Sequence, residues 1–167
     1  MTCRRDMEPC GCSTPEGHGR CLTDAARTAL LAALDMEYRA AAVYEAVLRR
    51  FGPMPPFTHV LRSEQRHAAV LGALLEGHGV AAPPSPYDPA DMALPASLWE
   101  ACEAAAAGKE ASAARYDRDL LPAAEGHEDV RTVFLRLRDA ALHCQLPAFR
   151  HWIDLHGRGE PATGDAA

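Results

Sequence analysis

The sequence contains no run near the roughly 18 uninterrupted apolar residues of a membrane span, so no transmembrane segment is expected. It also lacks any Lys/Arg block that could track a phosphate backbone, and its net charge is −6, which removes nucleic acid from the expected partners. The opening MTCRRDMEPCGC is basic but has no apolar signal core, and the cytoplasm is the expected location. No segment reads convincingly as a strand. Four of the six cysteines (Cys3, Cys10, Cys12, Cys21) fall in the first 21 residues and only Cys102 and Cys144 in the body, which fits a local metal or redox clip rather than a disulfide framework.

What is present is helical periodicity. Residues 1–21 combine Gly, Pro, Cys and charges without apolar period and read as a cysteine-rich appendage; 22–156 carry the pattern of one domain, and 157–167 form a tail. Thr23 or Asp24 can cap a first helix whose apolar residues recur at Leu30, Leu34, Ala41, Tyr44, Leu48 and Phe51, before Gly52-Pro53 ends it. A second helix is predicted from about Phe57 to His78, with Val60, Leu71 and Leu74 on its stripe. The proline-rich AAPPSPYDPADMAL follows, long enough to cross the end of a bundle. Pro95 suits the first position of a third helix, traced by Leu98, Cys102, Ala105, Ser112, Tyr116 and Leu120; a fourth runs from near Asp129 to about His156, with Pro147 expected to kink it. Two hairpins joined by a longer crossover give an all-α, antiparallel four-helix bundle.

Ionisable residues interrupt the apolar seam. The step from Leu34 to Ala41 passes through Glu37, and the steps from Val60 to Leu71 pass through Glu64 and His67. A buried lone carboxylate costs several kcal/mol (roughly, for any protein interior) unless it is paired or bound to a cation. A metal ion explains all three together, because carboxylates and imidazole suit iron, manganese and zinc, and i, i+3 spacing puts Glu64 and His67 on one helix face. A paired surface dyad is the plainer alternative for Glu64 and His67 alone.

The run Glu37-Tyr-Arg-Ala-Ala-Ala-Val-Tyr44 followed by Glu64-Gln-Arg-His67 resembles the first half of the ferritin-like superfamily, in its rubrerythrin-like branch and a bacterial branch of unknown function. AVYEAVLRRFG, PFTHVLRSEQRHAAVL and LPAFRHW are most similar to the latter, and the resemblance covers about residues 22 to 156. It implies a ferritin-like bundle with a di-iron or di-manganese site, in which one Glu on each of two helices joins a Glu-x-x-His on each of the other two. Glu37, Glu64 and His67 would be half of that site.

The second half departs from the pattern. With Tyr116 aligned on Tyr44, Lys109 takes the place of Glu37; with LPAF aligned by the family resemblance, Leu142 and Gln145 replace the second Glu and His. Glu110 could reach the seam only through a local bulge, and His143 or Cys144 are the alternatives that could turn inward on the fourth helix. A buried Lys109 near Glu37 and Glu64 would supply the charge that a metal otherwise supplies, with Gln145 bonding the remaining oxygens. The superfamily also includes radical-generating subunits that lost metal through similar Glu-to-Lys changes; by that resemblance Tyr44 and Tyr116 are candidate redox groups, with core packing as the plainer role.

In the head, Cys3, Cys10, Cys12, His18 and Cys21 offer ligands for zinc or copper, although their spacing matches no established zinc motif. Cys102 and Cys144 read as small core residues, and Trp99 and Trp152 as packing at the bundle ends. His59, His78, His127, His151 and His156 show no mutual spacing that makes a site.

The expected function is thus a ferritin-like metal-binding protein with an incomplete di-iron-type carboxylate site, binding one iron or manganese ion weakly. The resemblance implies oxidoreductase chemistry there, weakened by the missing ligands. The alternative is a metal-free binding or structural module, its core closed by a Glu-Lys-His network and its head handling metal or thiols. Expected partners are a metal ion and, in a homodimer, a second copy of the chain.

Overall fold

In the computed structural model, residues 21–156 are described, and among them the chain is entirely helical, with four helices and no strand. The first, α1, is Asp24–Phe51 and the second, α2, is Phe57–Gly77. The third, α3, spans 98–123: an α-helix Leu98–Arg115, a π-turn Tyr116–Leu120 and a last turn Leu121–Ala123. The fourth, α4, spans 128–156 with the same plan: Glu128–Ala140, a π-turn Ala141–Gln145, then Leu146–His156.

Local chemistry accounts for the ends. Thr23 caps α1, its hydroxyl accepting from the Ala26 amide at 3.1 Å. Gly52 ends α1 at φ +88°, a conformation that costs a side-chain-bearing residue, while its amide closes on the Leu48 carbonyl. Pro95 does not open α3 as predicted; Ser97 caps it by accepting from the Glu100 amide. Pro147 falls two residues after the second π-turn, so the missing amide is accommodated by widened hydrogen bonding just upstream.

The core is divided in two. One apolar cluster holds Leu30, Leu34, Leu71, Leu75, Tyr116, Leu120, Val130 and Phe134. The other holds Tyr44, Val47, Phe57, Val60, Cys102, Leu146 and Phe149, with Tyr44, Phe57 and Phe149 in mutual ring contact. Every helix contributes to both clusters, so each passes through the layer between them. The linker does not cross a bundle end. Val80 and Ala82 pack against the first cluster and Leu94 against the second, while Tyr87 donates to Asp35 and Tyr38 donates to the Pro83 carbonyl, laying the segment along α1.

No helix among the described residues is long and apolar enough to cross a membrane. Cys3, Cys10, Cys12 and His18 of the predicted metal clip, and the tail 157–167, lie outside the described residues.

Candidate metal centre

Between the two apolar clusters lie the buried polar side chains Glu37, Glu64, Lys109 and Gln145, one from each helix. Glu37 sits on α1 between Leu34 and Tyr44, which belong to different clusters, and Glu64 sits in the same way on α2 between Val60 and Ala68. The apolar periodicity that buries those neighbours carries the carboxylates inward with them. His67, one turn after Glu64, is partly buried at the edge of the layer.

Glu37, Glu64 and His67 each offer a ligand atom, and these atoms lie within 4.8 Å of one another. Glu37 Oε2 is 3.3 Å from His67 Nδ1, and Ser63 Oγ lies 3.2 Å from His67 Nε2, so both ring nitrogens have partners. Tyr116 donates its phenol to Glu37 Oε1 at 3.4 Å. Glu64 accepts from Lys109 Nζ at 2.9 Å on one oxygen and from Gln145 Nε2 at 2.5 Å on the other. The ammonium also stands 5.4 Å from the centre of the Tyr44 ring, on whose face a cation is favoured.

Burial, and then the neighbouring Glu37 carboxylate, push Glu64 up to about 8, against the opposing pull of Lys109. Glu64 therefore holds its proton to a higher pH than an exposed glutamate. Burial lowers His67, so its ring is held neutral, the form in which imidazole ligates a metal. Tyr44 is raised by burial and then by the two glutamates, as is Tyr116 by burial and Glu37, so both phenols stay protonated.

The predicted site residues sort as follows. Glu37, Glu64, His67, Lys109, Gln145, Tyr44 and Tyr116 come together in or beside one layer. Glu110 does not; it is exposed and pairs with Arg150 on α4, because the π-turn that could have rotated it inward comes later, at Tyr116–Leu120. His143 and Cys144 are exposed as well, correcting both the inward ligand and the core cysteine, whereas Cys102 is fully buried and its thiol is pushed up to about 12 by burial. Leu142 packs against the second apolar cluster. Trp152 also packs there, whereas Trp99 is 39% exposed.

Lys109, expected on the seam, carries a further cue in being the only lysine in the 167 residues. One group of histidine contacts escaped the sequence reading. His78 and His127 approach at 6.4 Å, His78 bonds Asp129 at 2.7 Å, and buried His127 accepts from the Thr23 amide at 3.2 Å, none of which follows a regular spacing.

The donor set fits one ion rather than two. Two carboxylates and a neutral imidazole suit a divalent first-row metal, and each carboxylate oxygen retains a second lone pair. On the other side of the layer stand an ammonium, an amide and a leucine, which supply no further carboxylate or imidazole.

No protein-family model matches the sequence, and no curated protein matches it. Among solved structures, the chain is similar to a conserved hypothetical protein from Mycobacterium tuberculosis, with a TM-score of 0.60 at 20% identity, over 78% of this chain and 96% of that one. At that identity the likeness concerns the fold.

Proposed function

We propose that this chain is a ferritin-like bundle whose metal centre is reduced to a single, weak site formed by Glu37, Glu64 and His67. The observation that carries the reading is the convergence of those three ligand atoms within 4.8 Å in a layer that is otherwise apolar above and below. The order in which the helices traverse the clusters supports the ferritin-like assignment. Helices α1 and α4 run from the first cluster to the second and α2 and α3 run back, as two antiparallel hairpins joined by a long crossover would.

Bound there, iron or manganese would supply redox or Lewis-acid chemistry. The chain's own residues do the rest. Glu37 and Glu64 hold negative charge in the core, His67 offers a neutral nitrogen oriented by Ser63, and Tyr116 fixes the second oxygen of Glu37. Lys109 opposes binding, because it already occupies one oxygen of Glu64 and its charge would repel a nearby cation.

Metal titration by calorimetry, with iron(II) and manganese(II), of the wild type, Lys109→Glu and Glu64→Ala tests the reading. We expect weak one-to-one binding in the wild type, at least tenfold tighter binding in Lys109→Glu, and none in Glu64→Ala. No gain from Lys109→Glu would sink the metal reading. It would favour a metal-free module instead, for which the Lys109–Glu64 contact at 2.9 Å is the supporting observation.

A further inference from the structure

A cavity of about 480 Å³ opens between α1 and α3 and reaches the polar layer, a volume within the usual range of small-molecule sites. Its walls are apolar, from Val43, Val47, Ala101 and Ala105, and Tyr44, Glu64 and Lys109 lie along its buried side. Arg39 and Arg115 line it too, and both are exposed, so the two guanidiniums stand at its mouth.

The charges decide what such a space would take. On the buried side, Lys109 is already bonded to Glu64, and Glu37 is engaged by His67 and Tyr116. At the mouth, neither Arg39 nor Arg115 has an ion pair among the described residues. Three of the chain's 17 cationic residues thus line one cavity of a protein whose net charge is −6, and the two without partners are forks suited to carboxylate.

We propose that this cavity binds an amphipathic monocarboxylate, its carboxylate held at the mouth by Arg39 and Arg115 and its aliphatic chain lying against the Val and Ala walls of α1 and α3. The ion pair fixes orientation and the walls supply affinity through apolar burial. The inference does not depend on metal at Glu37, Glu64 and His67: although Glu37 and Glu64 line the cavity, the contacts invoked are to the two arginines and the Val and Ala walls.

Decanoate is the probe, titrated by calorimetry below its micellar range and in the presence of a chelator, with 1-decanol as the uncharged control. The Arg39→Gln/Arg115→Gln variant removes the charge at two exposed positions. Gly108→Leu fills the cavity: a Cβ at Gly108 meets nothing within 4 Å, and leucine favours helix over glycine, so the variant is expected to fold. We expect saturable one-to-one binding of decanoate to the wild type, at least tenfold weaker binding of 1-decanol, a similar loss in the double arginine variant, and no binding in Gly108→Leu. Absence of saturable wild-type binding, or binding unchanged in Gly108→Leu, would overturn the site. Binding lost in Gly108→Leu but unchanged in the arginine variant would overturn the carboxylate assignment.

Discussion

Lys109 Nζ lies 2.9 Å from Glu64 Oε2, with both side chains almost wholly removed from water. A buried pair of this kind adds little net stability relative to a well-packed apolar pair, because desolvating both charges offsets their attraction. Its consequence is positional: each charge holds the other in the layer, and removing one leaves the other stranded.

Lys109→Met should therefore destabilise the bundle in a pH-dependent way. Lys109 pulls the Glu64 carboxyl down, so above about pH 8, where the wild-type carboxylate is ionised and paired, the variant must hold a proton there or bury an unpaired charge, and a loss of about 3–5 kcal/mol is expected. Below that pH the carboxyl takes up a proton and the loss should be smaller. Urea denaturation at pH 6 and pH 9 measures the difference, and equal losses at both would contradict a titrating Glu64.

The wild type should itself show the titration of Glu64. Its folded value, about 8, is raised above the ordinary 4.5, so the folded state holds the proton more tightly than the unfolded chain. The sign follows from linkage: this contribution is fully present below pH 4.5 and is lost as pH rises through about 8, at up to about 1.4 kcal/mol per pH unit. Melting curves from pH 5 to 9 should show the decline, and Glu64→Gln should flatten it.

Tyr116→Phe deletes one buried hydroxyl and its bond to Glu37 while keeping the ring packed against Phe134. A loss of about 1 kcal/mol is expected from denaturant unfolding, since the contact is long and only one bond is removed. A loss of 3 kcal/mol or more would mean that the phenol organises the whole layer.

Glu110→Ala and His143→Ala should change stability by no more than about 0.5 kcal/mol each, because both side chains are exposed. Metal affinity should be unchanged within twofold in both. A tenfold weakening in either variant would return that residue to the list of ligands.

The helices themselves were legible because apolar residues recur every three or four positions and because Thr23, Gly52 and the prolines punctuate them. Glu37, Glu64 and His67 were legible for the same reason, as departures from that pattern at positions it forces inward. Lys109 and Gln145 were reached through comparison with a repeated family motif, and Lys109 carried a further signal as the only lysine in the chain.

Other features had no local signature. The π-turns at Tyr116–Leu120 and Ala141–Gln145 add a residue to one turn of α3 and of α4, and they deliver Tyr116 to Glu37 and Gln145 to Glu64. The apolar face of α4 is wide, so His143 and Cys144 seemed able to face inward, whereas within the π-turn that holds them both are exposed. The linker was misjudged because its proline content specifies that it is extended, whereas its path along α1 is set by Tyr38 and Tyr87 finding partners far away in sequence.

The sequence by itself determined that four helices form and that α1 and α2 carry two carboxylates and an imidazole into the core, because periodicity and capping act over a few residues. Only the tertiary structure decided which cation answers those carboxylates, that burial and crowding push Glu64 above the ordinary carboxylate range, and that a cavity beside them ends in two arginines with no ion pair among the described residues. Those outcomes depend on distances between helices, which nearby residues in the chain do not encode.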